Sequence, residues 1–378
     1  MWNQITKLKR KPKNKTNKPS SRTFPTPFHP LNWIRYDSKP VERIAVWHLR
    51  NFGSIFESIN LPYLIGTDEA GYGPNLGPLT MAGTLWETES TETDLYLALS
   101  DAVANHSTRS ANAPKVFIAD SKKVYSGSIE QLETNVLALV YALKGKIPTD
   151  WQDLIELLCP QHSPTHSDRQ LWLTGQSKNL PLAGDPHKIK ALGDSFQENC
   201  TRAGVKLLEI ECHPIFPPLF NDQLEVLGNK ATLLSTYTLK IVQRLMNHCD
   251  DDTEIGCDKH GGRSKYAGLV QEILADELVL VGDETREMSD YSFRQNDHDV
   301  FIRFQAKGES FLPAALASMV AKYIREVFMG IWNQYWREQL PEIKPTKGYP
   351  VDAKRFKSEI ADLQSKLGLS DHLIWRNK

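Results

Sequence analysis

A mixed α/β fold follows from three features of this 378-residue chain. Short apolar runs bounded by Gly, Pro and acidic residues recur along it, as strands inside a sheet do. Between them lie stretches with apolar residues at helical spacing, such as Leu132, Val136, Leu139, Val140 and Leu143. The chain then closes on helices, which after a strand-rich first half indicates mixed α/β or α+β.

In chain order, the core begins near Ile65 in a strand that runs into Asp68 and Glu69. A turn from Gly71 to Pro78 follows, too rich in Gly and Pro for helix, and Leu79 to Trp86 returns as an antiparallel second strand. Val116 to Ala119 leads into Asp120-Ser121-Lys122-Lys123. Asp120 or Ser121 can cap local backbone there, and the lysines either reach phosphate or line a plain surface loop. Helices are expected from Ile129 to Leu143, Trp151 to Cys159 and His187 to about Gly204. His162 and His166 have the spacing of a metal pair, but Pro164 between them excludes the helix that would align them. The stretch from about 145 to 195 reads as an insertion. Val205 to Cys212 is a third strand, closed by Pro214, Pro217 and Pro218, and a helix covers Lys230 to His248.

Ile255 to Asp258 is again a short apolar segment ending in an acid. The basic, Gly-rich turn Lys259 to Lys265 after it suits a phosphate backbone held near that acid, or is a solvated loop in which His260 lies at the surface. Leu278 to Val281 and Val300 to Phe304 are further strands. Glu309 precedes a helix opening at Pro313, whose Ala314, Ala317, Ser318 and Ala321 let it press close to a sheet. An acid at that place is either favoured by the helix dipole or part of a site at the strand tips. After Gly348 an amphipathic helix runs from Asp352 to about Leu367, within a C-terminal helical part that starts near 330.

The net charge of -1 hides an asymmetry: Lys7 to Arg22 carries only basic charges, and no acid precedes Asp37. Residues 1–60 are therefore expected to form a flexible basic arm, either solvating or phosphate-binding. No apolar run can span a bilayer, and the N-terminus lacks the apolar stretch of a secretory signal. The five cysteines show no CxxC pair and no metal spacing, so reduced thiols in a cytoplasmic protein are expected. The protein is also expected to be a monomer.

Paired carboxylates at a strand tip can hold a divalent cation through oxygen, and a glycine-rich backbone beside them can approach a ligand closely. The dinucleotide reading of Gly71-x-Gly73 fails, because the spacing to Gly77 is off by one and Pro74 and Pro78 prevent the receiving helix. A Walker loop, GxSxG and HExxH are absent.

Five words in one order, DEAGYGPNLGPL, ADSKKV, the acid of GCDKHGG, KGESFLPAALASMVAKYIRE and TKGYPVDAKRF, resemble the type 2 ribonuclease H family, ribonuclease HII. The resemblance spans residues 61–378, outside the insertion. It implies a ribonuclease H-like fold with a mixed sheet of about five strands, and cleavage of RNA in RNA–DNA hybrids or at single ribonucleotides in duplex DNA. It also implies two divalent ions, Mg²⁺ or Mn²⁺, with Asp68 bridging them and Glu69, Asp258 and Glu309 completing the cluster. The backbone of Gly71 to Gly73 would lie by the ribose 2′-hydroxyl, Tyr349 would stack near the RNA–DNA junction, and Lys122, Lys123 and Lys322 would contact phosphate or support the site.

Three departures bear on this. Tyr72 replaces a family Arg or Lys, Glu309 replaces Asp, and TKGYPVD replaces HKGYGT. They leave a second reading open: a relative that keeps the hybrid-binding groove and has weakened catalysis.

Overall fold

The computed structural model describes residues 63–88, 94–106, 114–125, 127–160 and 170–377. The basic arm and the His162 and His166 pair lie outside them. Strand β1 (Tyr63–Ala70) divides its side chains between two cores. Leu64 packs into one with Trp86 and Trp332, and Ile65 into the other with Leu85 and Ile255. A strand apolar on both faces needs helices on both sides, and the following elements supply them.

Strand β2 (Leu79–Thr88) returns antiparallel. Helix α1 (Leu95–Ala98) follows, and strands β3 (Val103–Ala104) and β4 (Val116–Phe117) pair as a second, two-stranded sheet whose apolar residues join the core of Leu64 and Trp86. Helices α2 (Ser121–Val124), α3 (Glu130–Lys144), α4 (Trp151–Leu158) and α5 (Pro186–Arg202) precede β5 (Val205–Ile215). Helices α6 (Pro217–Leu227) and α7 (Lys230–Met246) lead to β6 (Thr253–Asp258), and α8 (Ala267–Ile273) to β7 (Leu280–Glu284), β8 (Met288–Gln295) and β9 (His298–Gln305). The chain ends with α9 (Leu312–Gln339), α10 (Pro350–Lys366) and α11 (Asp371–Ile374). Local chemistry sets several boundaries: Asp150, Asp185 and Asn229 accept from backbone N–H groups at the starts of α4, α5 and α7, and Gly145 ends α3 in the left-handed region.

The main sheet is mixed and has seven strands, ordered β5-β2-β1-β6-β9-β8-β7, rather than about five. β8 escaped the sequence because polar Ser289, Asp290, Ser292 and Arg294 interrupt its apolar residues. The signal lay in Asn296 and Asp297, whose φ of 50° and 68° make the tight turn into β9. β7 starts later than the apolar run at Leu278 suggested, and it is an edge strand with Leu280 and Val281 more than half exposed. Nor does Pro214 close β5, which continues to Ile215. Its place at the opposite edge tolerates a residue without N–H.

Helix α9, 28 residues long, lies directly on β1 and β2. Thr84 Oγ1 donates to Pro313 O at 2.9 Å, and Ala314, Ala317, Ser318 and Ala321 are all buried beneath it. The stretch read as an insertion packs into the same core: Trp151 meets Phe328 at 6.0 Å and Trp172 meets Trp332 at 5.3 Å between ring centres. Its anchor is Glu133, fully buried on α3. The carboxylate accepts from the N–H groups of Leu182, Ala183 and Gly184 at 2.6, 2.6 and 2.8 Å, and from Tyr323 Oη at 2.8 Å. Replacing Glu133 by Leu removes the acceptor of four donors, the buried Tyr323 hydroxyl and three partly buried N–H groups, so Glu133→Leu is expected to lower stability by about 3 kcal/mol in chemical denaturation. A change below about 1 kcal/mol would show that the clamp is dispensable. Among the described residues no helix is long and apolar enough to cross a membrane.

Candidate metal centre

Strands β1 and β6 run parallel, with Thr67 beside Cys257. Asp68 and Asp258 therefore emerge together at the same end of the sheet centre. Oxygen atoms of Asp68, Glu69 and Asp258 all lie within 4.8 Å of one another. They line a cavity of about 210 Å³, shared with Asp120, Lys122 and Lys307. The Glu69 N–H donates to Asp68 Oδ1 at 2.7 Å, and the Gly308 N–H reaches Asp258 Oδ1 at 3.4 Å.

The acids do not ionise freely as they stand. Burial, and then the charge of Asp258, raise the Asp68 carboxyl to about 7 against the opposing hydrogen bond from Ser318. Burial, followed by the charges of Asp68 and Asp258, holds the Glu69 carboxyl well above its usual range. Glu69 Oε2 is sealed from solvent and accepts no hydrogen bond. An all-oxygen donor set of mutually repelling carboxylates, one oxygen of which lacks a donor, fits a hard divalent cation such as Mg²⁺ or Mn²⁺.

Three of the four predicted acids thus converge. The fourth, Glu309, has its backbone in the one-turn 3₁₀ segment Gly308–Ser310 that joins β9 to α9, next to Gly308 at the cavity. Its side chain lies outside the described residues. Gly71, at φ +90°, is a forced glycine: a β-carbon there would fall 2.5 Å from Arg325 Nε and 2.7 Å from Pro78 O. Gly73 faces the half-exposed ring of Tyr349. Tyr72 packs against Gly261, with Lys230 Nζ 5.2 Å over its ring, and burial followed by the charge of Glu69 raises its phenol.

The predicted cations disperse. Lys122 lines the cavity, whereas Lys123 is exposed and does not. Lys322 pairs with Glu326 at 2.6 Å and lies over Tyr125, outside the cavity lining. The basic turn is partly structural. Lys259 is buried, donating to Thr285 O and Ser289 Oγ. His260, expected at the surface, is buried with Nδ1 2.9 Å from Ser235 Oγ, and desolvation pushes it down to about 3.

Sequence reasoning treated Asp120 as a cap, which it is, accepting from the Lys122 N–H at 2.9 Å. It missed the carboxylate's place in the cavity, although Asp120 follows an apolar run just as Asp68 does. Lys307 and the hydroxyl pair Ser121–Ser318, 3.1 Å apart, were also missed, and no local pattern announces them.

No family model matches this chain, and no curated protein matches it. Several solved structures are similar to it. Ribonuclease HII of Archaeoglobus fulgidus, solved in complex with PCNA, is 15% identical over 83% of this chain and 94% of its own, with a TM-score of 0.39. The ribonuclease H2 of Pyrococcus horikoshii OT3 is 13% identical over 82% and 92%, at 0.37. Bst-RNase HIII in complex with Mn²⁺ is 13% identical over 84% of this chain and 67% of its own, at 0.38.

Proposed function

We propose that this chain is a metal-dependent endoribonuclease of the type 2 ribonuclease H kind. Its substrate is the RNA strand of RNA–DNA hybrids, or single ribonucleotides within duplex DNA. One observation carries the reading: Asp68, Glu69 and Asp258 bring their oxygens within 4.8 Å at the tips of two parallel strands, in a cavity that also holds Lys122 and Lys307. A pure binding protein gains nothing from repelling carboxylates set toward phosphate. The sequence words that surround these residues supply the family.

Asp68, Glu69, Asp258 and Glu309 would hold two Mg²⁺ or Mn²⁺ ions, which when bound supply water activation and charge neutralisation at the leaving oxygen. Asp68, held by Ser318 and by the Glu69 N–H, occupies the central place. Gly71, Tyr72 and Gly73 receive the ribonucleotide, Tyr349 packs beside them, and Lys122, Lys123 and Lys322 serve the phosphates directly or by support. Residues 61–378 form the catalytic domain, with 1–60 as a basic arm; the protein acts as a cytoplasmic monomer, and its five unpaired cysteines suit that reducing compartment.

The test is cleavage of a labelled DNA duplex carrying one ribonucleotide, beside an all-RNA/DNA hybrid, with Mg²⁺, Mn²⁺ or EDTA. Cutting that needs metal supports the proposal. Binding without cutting under any condition moves the assignment to a hybrid-binding relative, the reading that Tyr72 in place of a cation favours. Glu309→Asp restores the family's shorter acid, and is expected to keep Mg²⁺-dependent cleavage at or above the wild-type rate. Total loss in that variant would mean that the site is rebuilt around the longer side chain.

A further inference from the structure

Two guanidinium groups are buried against the Gly71–Gly77 turn, and one comes from the extreme C-terminus. Arg376, 1% exposed, donates through Nη2 to Gly71 O at 2.6 Å and to Pro74 O at 2.5 Å. Its main chain pairs with the same turn: Arg376 N donates to Asn75 O at 2.8 Å, and Asn75 Nδ2 donates to Arg376 O at 3.2 Å. Arg325 on α9 donates to Leu76 O at 3.4 Å and to Lys347 O at 3.0 Å.

The C-terminal tail is itself held by a dedicated residue. Asn221, fully buried on α6, donates to His372 O at 3.1 Å and Trp375 O at 2.8 Å, and accepts from the Asn377 N–H at 2.8 Å. The Arg376 guanidinium lies 5.0 Å from the Phe220 ring centre.

Stability alone is a poor reason for this arrangement. Among the described residues Arg376 makes no ion pair with a carboxylate, and its Nε and Nη1 have no hydrogen-bond partner. Burial and the neighbouring charge of Arg325 lower it to about 9. An uncompensated buried cation costs free energy. What it secures is the conformation of the turn, by fixing the inward carbonyls of Gly71 and Pro74 on either side of Tyr72 and Gly73.

We propose that Arg376, delivered by the Asn221-anchored C-terminal clasp, is a positioning residue that sets the Gly71–Gly77 turn for ribonucleotide recognition. This rests on the function proposed above, and the experiment separates the two. Wild type, Arg376→Met, Arg376→Lys and Asn221→Ala would be compared as full-length chains. Affinity for a fluorescent duplex with one ribonucleotide, and for the all-DNA duplex of the same sequence, is measured in EDTA. KM and kcat are then measured with Mg²⁺, and Tm reports folding.

Arg376→Met is expected to weaken binding of the ribonucleotide duplex about tenfold and to raise KM alike, with kcat within about twofold and DNA affinity unchanged. Arg376→Lys, which can still reach a carbonyl, should recover part of the selectivity. Equal losses on both duplexes, losses that track the unfolded fraction, or unchanged selectivity would overturn the inference. If Arg376→Met does not fold, Asn221→Ala reads the same clasp, and a folded Asn221→Ala with wild-type selectivity overturns it equally. A wild-type protein that neither distinguishes nor cleaves the ribonucleotide duplex instead overturns the proposed nuclease function.

Discussion

Asp68→Asn is expected to lower cleavage by about a thousandfold or more, equivalent to ~4 kcal/mol of transition-state stabilisation, while hybrid binding in EDTA persists. The substitution keeps the size of the side chain and removes one of the three carboxylates that converge there. It should also change stability, in a direction that a merely structural acid would not give. In the folded protein the Asp68 carboxyl is raised to about 7 from its ordinary 3.8, chiefly by burial and then by Asp258. An acid raised on folding binds its proton more tightly in the native state, so without metal stability falls as pH rises from about 4 to about 7 and stays low above that. Wild type in EDTA should therefore melt lower at pH 8 than at pH 5, and Mg²⁺ should recover more at pH 8. Asp68→Asn should melt above wild type in EDTA at pH 8 and respond weakly to Mg²⁺. Cleavage at the wild-type rate, or a wild-type Tm indifferent to Mg²⁺ at pH 8, would sink the site assignment.

Much of this site was legible because it is built from strand tips. A strand that ends in an acid places that acid at the sheet end by necessity, so Asp68, Glu69 and Asp258 could be read one strand at a time. What the sequence could not state is that β1 and β6 are parallel neighbours, which makes two separate signals one cluster. Helix α9 was legible from its small residues for a similar reason, since Ala314, Ala317 and Ser318 mean little except close packing. The basic turn misled because charge in a sequence carries no burial. Lys259 and His260 satisfy internal oxygens, while Lys230, on another element altogether, lies over Tyr72. Arg376 was illegible for the reason that makes it interesting: its acceptors, Gly71 O and Pro74 O, are some 300 residues away in sequence and belong to the backbone.

Gly66→Ala is expected to be the most damaging single-methyl change in the protein. Gly66 lies on β1, where α9 crosses it, and a β-carbon there would fall inside the backbone of Pro313 and Ala314. Neither neighbour is a flexible side chain that could swing aside, so the whole helix start must move. That movement breaks close packing between α9 and the sheet, at a cost of about 3 kcal/mol or more. It also reaches the site from several directions. The same helix brings Ser318 to Asp68, Tyr323 to Glu133 and Arg325 to the Gly71–Gly77 turn. Cleavage should fall further than the folded fraction alone accounts for. Gly330→Ala is the control on the same helix: a β-carbon there meets nothing within 4 Å, and the added helix propensity should stabilise by about 0.5–1 kcal/mol. Chemical denaturation of both variants decides the matter. Opposite signs are the expected outcome, whereas a Gly66→Ala variant as stable as wild type would mean that α9 does not press on β1, and the geometry that carries Ser318 and Arg325 to the site would have to be redrawn.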